Sequence, residues 1–183
     1  MRSPKVIWSF LLIGTSATVL SMTVGLTELL RERGVSDATR NAFLSDLLNG
    51  DFTSVPLQHS KVVTTRRIGY AGAPSPLATE FVGILRTPKA EDILAQLAEH
   101  GSAGARLYAL CGLTTIRSPK LPRYLSLAST DAEVVALIDG CSMSVTRVKD
   151  AAISRYFWRE CEKLVDGALP NPASNPTGLR SAG

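Results

Sequence analysis

Side chains that carry chemistry are scarce in this chain. Its 183 residues include two histidines, His59 and His100, and three cysteines, Cys111, Cys141 and Cys161. The cysteines lie 30 and 20 residues apart, with no C-x-x-C pair and no neighbouring histidine. That spacing excludes the usual structural zinc sites and dithiol redox motifs, so no metal and no cofactor is expected. No serine or cysteine stands in a nucleophile motif such as G-x-S-x-G, and two histidines give little material for a triad. A thiolate pair of Cys111 with His100 is disfavoured, because Cys111 falls in an apolar helical stretch where desolvation suppresses the thiolate. The glycine pairs Gly69/Gly72 and Gly101/Gly104 lack the strand, glycine-rich turn and helix order of a phosphate loop. No catalytic, cofactor-binding or metal-binding residue can be assigned on these grounds.

Long basic clusters are also missing. The net charge of +4 and pI near 9.1 invite a nucleic-acid reading. Setting aside residues 1–33, with four bases and two acids, leaves 16 bases against 14 acids. The one adjacent pair, Arg66 and Arg67, is too small to neutralise a row of phosphates, and no nucleic-acid partner is expected. The acids Glu91/Asp92 and Asp131/Glu133 read as first-turn residues that suit a helix dipole.

What the chain does have is an N-terminal address. Arg2 and Lys5 precede Val6–Thr27, 22 residues without a formal charge. As a helix this run would span about 33 Å, close to the thickness of a bilayer core. Seven of the 22 are Ser or Thr, however, and the apolar run before Thr15 is short, as in a signal peptide, with Thr15-Ser16-Ala17 a poor cleavage site. Three readings stay open: a cleaved signal, an uncleaved anchor that makes the membrane a partner, and a buried core helix. The first two place the body outside the cytoplasm, in the periplasm or anchored to the inner membrane facing outward. Lysines and arginines flank the run nearly equally, and the charge at the extreme N-terminus favours a cytoplasmic start.

The body, residues 34–167, reads as short helices. Ser36 can cap a helix to about Leu48, and Lys61–Tyr70 has the β-branched content of a single edge strand kept solvated by Arg66 and Arg67. Ser75-Pro76 opens a helix over about 76–86, and Thr87-Pro88 repeats that device for a helix over about 88–100. Ser102 starts a third, apolar all round except for Arg106, which implies central burial. Leu121–Leu127 forms a short apolar turn. Thr130-Asp131-Ala132-Glu133 spells a capping box before Val134, Val135, Leu137 and Ile138, although the same run could be a buried strand. Val148 to Val165 has the pattern of one long amphipathic helix ending at Gly167. Residues 168–183, with Pro170, Pro172 and Pro176, have little to bury and are expected to be a disordered tail. The expected fold is mainly α: a compact bundle of short helices, with HEAT-like hairpins conceivable, at most a minor β element, and the N-terminal hydrophobic helix.

Export would make a disulfide natural. Cys111 and Cys141 are the favoured pair, because each abuts a glycine, Gly112 or Gly140, that permits close backbone approach. Three buried free thiols are the alternative. The run Ala105-Arg106-Leu107-Tyr108-Ala109-Leu110-Cys111-Gly112-Leu113, followed by Gly140-Cys141, resembles a pattern in small exported bacterial proteins of unassigned function. The resemblance implies export, a helical body and a structural pairing of Cys111 with Cys141, and it brings no catalytic residue. Two functional readings follow. One is an exported or membrane-tethered binding or scaffold module of the bacterial cell envelope; the other is an envelope enzyme, hydrolase-like, whose carboxylates or Cys111 meet only in three dimensions.

Overall fold

The computed structural model describes residues 55–68, 72–140 and 142–166, together with Ala38 and Asn41. The N-terminal hydrophobic segment, the helix expected after Ser36 apart from Ala38 and Asn41, Cys141 and the C-terminal tail lie outside the described residues. The chain divides into two units at Phe52/Thr53, and everything below concerns the second.

A 3-10 turn, Leu57–His59, leads into β1 (Val62–Ile68) and the two-residue β2 (Ala73–Pro74). Four helices follow: α1 (Pro76–Leu85), α2 (Ala90–His100), α3 (Ala103–Thr115) and α4 (Leu121–Ala128). Strands β3 (Val134–Gly140) and β4 (Ser142–Arg147) come next, and α5 (Val148–Ala152) and α6 (Arg155–Val165) close the unit. The strands form one mixed sheet in the order β2-β1-β3-β4. This overturns the mainly α expectation, because a four-stranded sheet is a principal element of the fold. β3 lies parallel to β1, pairing Val62 with Ala136, Val63 with Leu137 and Thr64 with Ile138. β4 runs antiparallel to β3 from Val134/Arg147 to Asp139/Ser142.

The misreading of β3 has a local cause. Asp131 Oδ1 accepts the Glu133 N–H at 2.9 Å in a turn that feeds the strand, and Thr130 Oγ1 donates back to Leu127 O at 3.0 Å. The residues of the expected capping box therefore finish α4 and launch β3, where Val134, Val135 and Ile138 suit a pleated surface. Likewise β1 is not an edge: β3 flanks it along its first half and β2 pairs with Arg67 and Ile68.

Helix starts were more legible. Ser75 caps α1, its Oγ accepting the Ala78 N–H at 3.2 Å, with Pro76 at the first position. Thr87 does not repeat the device; its hydroxyl donates to Ile84 O at 2.9 Å and so closes α1, and α2 begins only at Ala90. Leu121–Leu127, expected as a turn, is helical as part of α4. The long final helix is two, broken at Ile153, after which Ser154 caps α6 by accepting the Phe157 N–H.

α3 is the hub. Ala103–Ala105 and Leu107–Leu113 are all buried, as its all-round apolarity implied. A Cβ on Gly104 would stand 2.5 Å from Ser60 O and 2.7 Å from Val62 O, so only glycine lets the start of α3 rest on the chain leading into β1. The core around α3 takes Leu77 and Phe81 from α1, Leu94 and Leu97 from α2, Tyr124 from α4, Val63 and Val135 from the sheet, and Phe157 and Leu164 from α6.

Candidate functional site

The deepest polar feature is built on α3. Tyr108 is fully buried, and its hydroxyl accepts the Thr64 N–H at 2.9 Å. The same oxygen lies 3.0 Å from Thr64 Oγ1 and 3.2 Å from Thr64 O. Thr64 Oγ1 is in turn hydrogen-bonded to Ser75 Oγ. Thus one phenol serves backbone groups of β1 just where its register against β3 shifts, between Thr64 and Ile68. Burial is the main force that pushes the Tyr108 pKa up to about 12, with hydrogen bonds to Thr64 opposing it. A phenol so hard to ionise is a structural strut, far from the range useful to a general base near neutral pH.

A second polar centre surrounds Arg106. Its Nη1 donates to Gly101 O at 2.7 Å, its Nη2 pairs with Glu133, and its Nε stands 2.8 Å from Asp131 Oδ2. The Nε contact is an ion contact rather than an aligned hydrogen bond. The guanidinium ties the start of α3 to the approach of β3.

The candidate site lies where α6 crosses the sheet. Cys111 on α3 and Cys161 on α6 are joined in a disulfide, their Cα atoms 5.5 Å apart, well within the usual range. The expected Cys111–Cys141 bond is therefore replaced: α6 brings Cys161 onto α3, and the sulfur of Cys111 has no second bond to give. The same bond rules out a Cys111–His100 thiolate pair and three free thiols. Above the disulfide is a shallow cleft with about 20 Å³ of open room, enough for a single water. Asp139 and Thr65 line it from the sheet, and Tyr156 and Glu160 from α6.

Charge in this cleft is organised around Glu160, whose side chain is only 11% exposed. Glu160 accepts from Lys163 Nζ at 2.8 and 3.0 Å and lies 3.4 Å from Arg159 Nε. The hydrogen bond to Glu160 raises the Lys163 pKa, opposed by partial desolvation. Desolvation, followed by the negative charges of Glu160 and Asp139, raises the Tyr156 pKa. Sequence reasoning missed this grouping because Asp139 and Glu160 belong to a strand and a helix that meet only in the fold. Tyr156, noted as part of the Tyr156-Phe157-Trp158 run, is partly exposed here, while Phe157 is buried and Trp158 Nε1 donates to Ala152 O at 2.9 Å.

The remaining residues singled out in the sequence do not converge. His59 is exposed in the 3-10 turn beside Gln58, and His100 is exposed at the end of α2. Glu91 accepts from Ser118 Oγ at 2.6 Å, a helix-to-loop tie. Among the described residues no three His, Cys, Asp or Glu side chains gather as metal ligands would, and no helix is long and apolar enough to cross a membrane. No protein-family model, curated protein or solved structure matches this chain.

Proposed function

We propose that this chain is an exported or membrane-tethered module of the bacterial cell envelope that acts by binding. The observation that carries the reading is the Cys111–Cys161 disulfide. Such bonds persist in oxidising compartments and are rare where cellular thiols hold cysteines reduced. The uncharged run Val6–Thr27 after Arg2 and Lys5 supplies the matching export signal or anchor. The body suits a scaffold, since the buried Tyr108 hydroxyl and the partly buried Arg106 guanidinium bind the protein's own backbone and carboxylates.

An export-dependent reporter fused after Gly183 tests the location. Activity well above that of a fusion lacking residues 1–33 is expected, and activity no higher than that control would remove the proposal. Size on fractionation then separates the cleaved form from the anchored one.

One observation favours a second reading, an envelope hydrolase: Asp139 and Glu160 line the same cleft from the sheet and from α6. Two carboxylates in one cleft can divide acid and base roles. Hydrolysis of envelope polysaccharide or peptide that disappears in Asp139→Asn would replace the binding reading with this one.

A further inference from the structure

The last helix is fastened to the body differently from the others. α3 is held by Tyr108 on β1 and by Arg106 between Asp131 and Glu133. α2 is tied to α4 and to the loop before it through Glu99–Arg123, Glu91–Ser118 and Asp92–Lys120. On α6 the charged side chains bond within the helix instead: Arg159 and Lys163 both face Glu160, and Arg159 lies over the Tyr156 ring. Among the described residues, two hydrogen bonds cross from α6 to other elements. Arg66 donates its Nε–H to Leu164 O at 3.2 Å, and Trp158 donates its Nε1–H to Ala152 O at 2.9 Å.

Beyond these, α6 is held by one apolar stripe and one covalent bond. Phe157, Cys161 and Leu164 follow helical spacing and are buried, with Trp158 and Val165 partly buried beside them. The Cys111–Cys161 bond joins the middle of that stripe to α3. α6 is also the final element of the described unit, so no later element has to move with it. An element with few polar ties to its neighbours opens as a unit at lower free energy than the core does.

We infer that the Cys111–Cys161 bond is a redox latch: its two-electron reduction by a dithiol lets α6 leave the sheet while the rest of the body stays folded. One thiolate of the dithiol attacks Cys161 Sγ, the more exposed of the two half-cystines, forming a mixed disulfide and expelling the Cys111 sulfur, which takes up a proton. The second thiolate of the dithiol then attacks its own sulfur in the mixed disulfide, and the Cys161 sulfur leaves and is protonated. The dithiol ends as a disulfide, having given two electrons and two protons. The cleft above the bond has room for one water, so attack waits on a widening between α6 and β1. Release of α6 parts Tyr156 and Glu160 from Asp139 and Thr65, which dismantles the cleft, and it uncovers Phe157 and Leu164. The inference goes beyond the proposed role and does not depend on export, since the latch opens wherever a dithiol reduces the bond.

Amide hydrogen exchange of the full chain, oxidised and then reduced with dithiothreitol below the melting temperature of the reduced form, tests it. Rates are compared after division by the intrinsic rate of each amide, so that a general loss of stability does not imitate release of one helix. In the reduced protein the amides of α6 should exchange at least tenfold faster than those of α3 and β1, and in the oxidised protein this gap should close. Cys161→Ala should show the gap with or without dithiothreitol, and the parent comparison stands without the variant should it fail to fold. Removal of the reductant and reoxidation should close the gap again. Equal protection of α6 and α3 in the reduced protein, a gap already as large in the oxidised protein, or a gap that persists after reoxidation would overturn the inference.

Discussion

Cutting the Cys111–Cys161 bond should strongly destabilise the described body. The bond spans 50 residues and ties the central helix α3 to the last helix α6. Loop-closure entropy for that separation is about 14 cal/mol/K, so the cross-link stabilises the fold by about 4 kcal/mol at 25 °C. For a body of this size each kcal/mol shifts the melting temperature by about 3–5 °C, and the loss should be roughly 12–20 °C. Both half-cystines are buried in the core, and Cys161→Ala is the perturbation chosen because Cys161, at 6% exposed against 1% for Cys111, lies on the last helix rather than on the central one. Thermal melts of parent and Cys161→Ala, each with and without a reducing agent, separate the cross-link from side-chain packing. Reduction should lower the parent to near the variant and leave the variant unmoved, while Cys141→Ala should melt as the parent does. Alkylation of the oxidised, denatured protein should label Cys141 alone. A parent insensitive to full reduction, or a large destabilisation confined to Cys141→Ala, would refute the pairing and the entropy argument together.

Three further outcomes are expected. Tyr108→Phe leaves the buried Thr64 N–H without its partner and should cost about 2 kcal/mol in denaturant unfolding. Since the folded pKa of Tyr108 is about 12 against about 10 unfolded, the unfolded chain releases its proton first. Stability from this group is therefore complete below about pH 10 and falls by roughly 3 kcal/mol as the pH rises to about 12, a loss that a pH series should find missing in Tyr108→Phe. Gly104→Ala should cost about 3 kcal/mol, because the added methyl meets backbone of Ser60 and Val62, whereas Gly112→Ala meets only the movable side chain of Leu94 and should cost about 1 kcal/mol; comparative melts decide the order. Arg106→Met leaves Asp131 and Glu133 without their shared cation and should lower stability by about 1–2 kcal/mol in denaturant unfolding.

Local chemistry carried much of the helical part. Ser75-Pro76 marked the start of α1, the apolar sequence of α3 marked its burial, and the scarcity of histidine and cysteine motifs left few chemical assignments to make. Where a side chain had two local uses, sequence alone did not choose between them. Thr87 can cap the next helix or close the last, Asp131 can cap a helix or turn the chain into a strand, and Ser154 can sit inside a helix or restart one. Tertiary packing made each choice.

The sheet and the cleft were decided only in three dimensions. β1 and β3 are separated by four helices, and parallel pairing at that distance leaves no short-range signal beyond β-branched residues that also fit a buried helix. Cys161 outcompeted Cys141 for Cys111 because α6 lies across the sheet with its Phe157, Cys161 and Leu164 face toward α3, whereas glycine neighbours report only local backbone freedom. Asp139 and Glu160 share a cleft for the same reason: periodicity places a residue on a face of its own element, and only packing decides which other element that face meets.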